Sequence, residues 1–158
     1  MKRTFKAATG AGAVLIALAA AGCSASAASS QAPFVGYKWL VTSITSHGKQ
    51  TPIPSAHQIN QVYVLFTANG KFGANDPVNF HSATYRQVGD GFTTGEIATT
   101  AVGYSGDNPV TVLAIDAISA FNDGVHADAT VTGNRLVISV GGFLLNCQRD
   151  GTTPSSFS

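Results

Sequence analysis

Charge is scarce in this chain. Only 11% of its 158 residues are Asp, Glu, Lys or Arg, and beyond Lys6 no two basic residues stand together. Without a Lys/Arg cluster, the sequence argues against nucleic acid as a partner and against a polybasic grip on anionic lipid. Cysteine is almost absent too: two residues, Cys23 and Cys147, exclude a disulfide-dense scaffold and any multi-cysteine metal knuckle. No uncharged run reaches the ~20 strongly apolar residues of a membrane-spanning helix. No Gly-x-Ser-x-Gly elbow or activated-cysteine signature occurs. The four histidines, His47, His57, His81 and His126, stand apart without metal-ligand spacing.

What is present at the N-terminus is an export pattern. Lys2, Arg3 and Lys6 precede an uncharged stretch from Ala7 to Gly22, the basic and apolar regions of a signal peptide. Ala20-Ala21-Gly22-Cys23 resembles the bacterial lipobox, in which the cysteine sulfur receives a diacylglyceryl group; the position three before the cysteine is Ala20 where leucine is usual. The resemblance assigns residues 1–22 to a lipoprotein signal peptide and Cys23 to lipidation. Buried acyl chains contribute about 0.8 kcal/mol per methylene, so two or more chains hold a protein firmly. A competing cut after Ala25-Ser26-Ala27 would discard Cys23 and release a secreted protein. Residues 23–34, rich in Ala and Ser, read as a flexible tether, 35–150 as one domain, and 151–158 as a disordered tail.

Removal of residues 1–22 leaves 136, enough to bury a core, and shifts the balance to six basic against eight acidic residues, a formal net charge of −2. In "GGFLLNCQRD", Phe143, Leu145 and Cys147 share one strand face and Leu144, Asn146 and Gln148 the other, so Cys147 reads as a small buried hydrophobe.

The body is punctuated like a β protein. "YKWLVTSIT" (37–45) reads as a strand, followed by a loop through Gly48, Pro52 and Pro54. "QVYVLFT" (61–67) is apolar on both faces and meets Asn69-Gly70, a tight-hairpin signal. "NFHSATYRQ" and "FTTGEIATTAV" flank Gly89-Asp90-Gly91, and "HADATVT", "NRLVISV" and "GFLLNCQ" form a meander. One stretch changes period: Asn108 as N-cap, Pro109 at the first position and Gly124 beyond the end predict a helix over about 109–122, with Leu113, Ala114, Ala117 and Phe121 turned inward. The expected fold is α+β, mostly β: a curved antiparallel sheet or partial barrel of about seven to eight strands with one helix.

In order and spacing, "YKWLVTSI", "LFTANGKFGAN", "ATYRQVGDGFTTGEIATT", the helix and "VTGNRLVISVGGFLLNCQR" resemble the META domain of HslJ-type bacterial envelope proteins over residues 36–149. The family commonly carries a Gly-Cys-Asn stretch after the first hairpin and a partner cysteine; here "GANDPVNFHSATY" and "TTAVGY" have neither. The resemblance implies an exported module, often a lipoprotein, linked to envelope stress, motility, secretion and antibiotic tolerance. It carries over no catalytic residue.

His81, Asp76 and Glu96 invite a metal or acid/base reading, but they fall on different predicted elements without close ligand spacing, so they are expected as ordinary polar side chains in solvent. The loop "ANDPVNF" (74–80) reads as an Asx/Pro turn, or alternatively as a recognition loop carried by Asn75, Asp76 and Phe80. Tyr37, Tyr63, Tyr85 and Tyr104 read as core or cross-strand aromatics, or as the lining of a groove. No cofactor or metal is expected. The expectation is a non-catalytic protein, lipid-anchored to the cell membrane and facing outward, that binds another protein of the envelope or stabilises an envelope assembly; the alternatives are a small lipophilic-ligand carrier and an exported hydrolase. If Cys23 carries the anchor, Cys23→Ala moves the protein out of the membrane fraction, and a variant that still fractionates wholly with membranes removes that reading.

Overall fold

The computed structural model describes residues 31–54 and 61–152. In chain order the elements are β1 (Tyr37–Ser46), β2 (Lys49–Pro52), β3 (Tyr63–Phe66), β4 (Lys71–Asn75), β5 (Phe80–Val88), β6 (Gly91–Thr94), β7 (Ala98–Thr99), α1 (Pro109–Ser119), β8 (His126–Thr132), β9 (Arg135–Val140) and β10 (Phe143–Thr152). Every pairing is antiparallel, and β1 bonds to both β3 and β10, so eight strands close in the order β1, β3, β4, β5, β6, β8, β9, β10. The α+β, β-rich expectation therefore holds, and the sheet is a closed barrel rather than a partial one. β2 and β7 lie outside the ring, paired to β1 and β5.

Closure depends on β1. Its alternation breaks between Val41 and Ser43, where a bulge leaves Thr42 and Ser43 side by side on the outer wall and returns Ile44 to the interior. Such a bulge bends and twists a strand, and here it lies in the β1–β10 pairing that closes the ring.

Three turns show how local sequence sets register. The Asn69-Gly70 hairpin forms, but only Gly70 has positive φ (77°); Gly70 N donates to Thr67 O and Thr67 N to Lys71 O, a three-residue loop with a glycine bulge. Gly89 (φ 57°) and Asp90 join β5 to β6 in the pattern of a type II′ turn. The segment through Gly48, expected as a loop, is a hairpin: Ser46 pairs with Lys49 across His47 and Gly48, both at positive φ.

α1 starts where the sequence places it, with Asn108 Oδ1 accepting from Val110 N at 2.9 Å and Thr111 N at 3.2 Å. It ends at Ser119, three residues short of the expected 122. The cause is Phe121: Ala120 is still right-handed and bonds to Asp116 O, but for Phe121 to pack in the barrel against Phe72 and Phe92 the next turn tightens, with Phe121 N on Ile118 O and Asn122 Nδ2 capping Ser119 O.

Both barrel mouths are stopped. Ala114, Ala117, Ile118 and Phe121 cover one; a turn carrying Ala32 and Phe34 plugs the other. These last two residues, assigned by sequence to the tether, are 5% and 1% exposed, and Phe34 O accepts from Trp39 Nε1 at 2.8 Å. The packed body thus begins before residue 35. Between the plugs the rings of Phe34, Phe66, Phe92, Phe72 and Phe121 run in sequence, neighbouring centroids 4.7–5.8 Å apart. Phe34→Ala is expected to cost about 3–5 kcal/mol of unfolding free energy, measurable in denaturant; an unchanged midpoint would return Phe34 to the tether.

Candidate functional site

The rim of the helix-covered mouth collects the loops. β4 ends at Asn75, whose Nδ2 donates to Gln61 O and Asp76 O, both at 2.7 Å. Asp76 then makes the Asx turn that the Asn/Asp/Pro composition favours: its Oδ1 accepts from Val78 N at 2.6 Å and Asn79 N at 2.7 Å. Its other oxygen lies 2.8 Å from His81 Nε2 on β5, and His81 Nδ1 lies 3.0 Å from Thr99 Oγ1 on β7. An ionised carboxylate only accepts, so Nε2 donates to it, and Nδ1 shares a hydrogen bond with the threonine hydroxyl.

This corrects the surface-polar reading of Asp76 and His81, which are 1% and 6% exposed and in contact. Sequence reasoning separated them because they fall on different elements; the tight turn brings them together. Glu96 lies exposed on the link between β6 and β7, away from the pair's burial. The carboxylate–imidazole–hydroxyl order is that of a proton relay. Here its evident work is mechanical, tying the turn at 76–79, the start of β5 and the short β7 together. Among the described residues no group of three or more His, Cys, Asp or Glu could hold a metal ion. His126 pairs with Asp128 at 3.2 Å in the open, whereas His57 and Cys23 lie outside the described residues.

The candidate recognition residues Asn75, Asp76 and Phe80 all serve this frame, none of them fully exposed. What the frame holds out is the next loop. Asn79 grips Val102 through both backbone atoms, Nδ2 to Val102 O at 3.0 Å and Val102 N to Oδ1 at 2.9 Å, while Phe80 and Thr100 exchange Phe80 N to Oγ1 and Thr100 N to O, each at 3.0 Å. So clamped, the segment from 100 to 108 exposes Val102 (57%) and Tyr104 (38%) beside Val112 (39%) of α1. They surround an open cleft of about 310 Å³ completed by Asn79, Gly106 and Ile115. A second cleft, about 280 Å³, lies where Pro77, Ile53 and Val62 meet Val110 and Ala114. Exposed Glu96, Asp107, Asp116 and Asp123 belong to the same end of the barrel. Val112 was the readable signal: it sits one turn before Asp116 on the helix's polar stripe, where an apolar residue has no core to fill.

Elsewhere, Cys147 is the small buried hydrophobe its strand pattern predicts, 3% exposed and unpaired, with burial pushing its thiol pKa far up. Tyr63 and Tyr85 are half-buried, and that burial raises their phenol pKa values. Tyr85 donates to Thr67 O at 3.0 Å, and Tyr63 lies under the Lys38 ammonium.

A closed antiparallel barrel with one capping helix and a loop-built apolar face is the class defined here. No family model matches the chain, and no curated protein does. Two NMR structures share the fold. One, of a protein from Burkholderia xenovorans, is 15% identical, with 74% of this chain and 83% of that chain covered and a TM-score of 0.57. The other is 17% identical, covers 72% of this chain and 88% of its own, and has a TM-score of 0.55.

Removing the carboxylate in Asp76→Ala leaves a buried imidazole N–H and two turn N–H groups without their acceptor, an expected cost of about 2–4 kcal/mol. Thr99→Val, which deletes one neutral bond at the edge, is expected to cost about 0.5–1.5 kcal/mol. Equal losses in denaturant titrations would show that the network is not anchored on Asp76.

Proposed function

We propose that this chain is an exported bacterial envelope protein, lipid-anchored through Cys23, whose META-like barrel is non-catalytic and binds a partner protein at its helix-covered mouth. The observation that carries the binding reading is the trio Val102, Tyr104 and Val112, held in solvent by a hydrogen-bonded frame. Apolar side chains fixed on a rigid surface around a cleft mark an interaction site, because exposing them has no stabilising purpose of its own. The acidic side chains at the same end favour a partner segment that is basic around an apolar centre.

The lipophilic-carrier alternative has less support, since five phenylalanine rings occupy the barrel axis where such a ligand would sit. A hydrolase would need hydrogen-bond donors aimed at the negative charge that develops around a nucleophile's target, and the acid–base–hydroxyl chain found among the described residues is spent on joining strands. The anchor rests on the sequence from Lys2 to Cys23, and secretion after Ala27 is its alternative.

A photo-crosslinking residue at position 112 or 104, introduced in the native envelope, is expected to trap one discrete protein adduct, while the same residue at Ser139 on the outer wall traps none. Val112→Glu should abolish the adduct captured from position 104 with the unfolding midpoint unchanged. Indifference of capture to the probe's position would overturn the assignment of this face.

A further inference from the structure

The barrel carries its charge at two opposite ends, although the sequence spreads it evenly. β1, β4 and β9 begin at the plugged mouth, and β5 and β10 end there. Those termini hold Lys38, Lys71, Arg135, Arg86 and Arg149, five of the six basic residues after residue 22. Lys71, Arg86 and Arg135 are exposed; Arg149 lies over the Tyr37 ring at 3.9 Å, and Lys38 meets Asp150 at 3.2 Å. Asp90 and Asp128 are the other carboxylates at this end. The helix-covered mouth carries Asp76, Glu96, Asp107, Asp116 and Asp123 against Lys49 alone. One end therefore has a basic excess of two and the other an acidic excess of four.

The chain enters the barrel at the basic end. Phe34 plugs that mouth, Tyr37 pairs with Thr152 beside it, and only seven residues separate Cys23 from Gln31. At ~3.3–3.6 Å per residue that length spans less than about 30 Å, so a body held at Cys23 stays within about its own diameter of the membrane.

We infer that the plugged mouth docks on an anionic lipid surface, which turns the helix-covered mouth with Val102, Tyr104 and Val112 away from the membrane. This rests on the proposed lipid anchor: the acyl chains supply the affinity, and the charge asymmetry supplies only the orientation. A basic excess of two attracted by such a surface, with the acidic end repelled, biases orientation by roughly tenfold or more. The isolated basic residues that argued against a polybasic grip are gathered by the strand ends.

The test uses the mature lipoprotein in vesicles of phosphatidylcholine, with or without a third of phosphatidylglycerol. Nitroxide labels are placed singly at Asn134→Cys, on the β8–β9 turn of the plugged end, and at Ser119→Cys, on α1; buried Cys147 stays unlabelled. In low salt, collision of the Asn134 label with a headgroup-bound nickel chelate should rise severalfold in anionic over neutral vesicles. The rise should disappear in high salt and in the triple variant Lys71→Glu, Arg86→Glu, Arg135→Glu, whose circular dichroism should be unchanged; the Ser119 label should stay remote. Flotation with the vesicles reports the anchor separately. A protein that floats on both compositions with the Asn134 label indifferent to charge overturns the orientation alone. A protein that floats on neither overturns the anchor, and the orientation with it.

Discussion

Everything in this barrel is arranged around one column of rings. Phe34, Phe66, Phe92, Phe72 and Phe121 come from the N-terminal turn, three strands and the segment after α1, and each is at most 2% exposed. Ring pairs at such separations favour tilted or edge-on contact over simple stacking, so each ring restricts the angle of the next. The strands must stagger around that column, and both plugs are set by its ends. α1 stops where it does because Phe121 has to reach Phe72; the N-terminal turn exists because Phe34 has to reach Phe66 and Phe92, with Trp39 Nε1 fixing its backbone. Small residues complete the fit. A side chain on Gly91 would run into Ala127 O at 2.0 Å, so β6 and β8 approach closely only because that position is bare.

With the interior occupied, chemical individuality is left to the rims. At the helix-covered rim, one buried carboxylate organises two turn amides, an imidazole and, through it, a hydroxyl on a strand of two residues. That order allows Asn79 to hold the following loop by its backbone, leaving Val102 and Tyr104 side chains outside. The buried polar network and the exposed apolar face are thus two sides of one arrangement: satisfied polar groups inside stiffen the frame on which unsatisfied apolar surface is displayed.

Much of this was legible locally. Alternation in Arg135–Val140 and Phe143–Gln148 gave the correct inner faces, Asn108-Pro109 gave the helix start, and Gly89-Asp90 gave a turn of the right kind. Failures came where distant residues decide. Closure of β1 on β10 pairs residues about a hundred positions apart, from Ser46 with Phe143 to Tyr37 with Thr152, and no period within either strand announces it. Phe34 stands in an Ala/Ser-rich stretch that reads as linker, and only the cavity it fills reveals its role. Asp76 and His81 looked like isolated surface groups because a contact made across a four-residue turn is invisible to helical or strand spacing. The expected strand from 92 to 102 broke at Gly95, where β6 bends toward β8 and β7 remains with β5. At the rim, Asn75, Asp76 and Phe80 pointed to the right neighbourhood while assigning recognition to the residues that brace it.

The pairing of the first barrel strand with the last has a kinetic meaning. Until β10 is available, β1 has an unsatisfied edge, the ring of strands stays open, and the phenylalanine column has no continuous wall. Ordering contacts between residues so far apart is slow, because the long intervening chain must first be brought round. A nascent chain therefore cannot finish this barrel before nearly all of it has been made. On the export proposed above, a domain sealed only by its last strand would cross the membrane before its barrel closes, with closure timed by the arrival of β10.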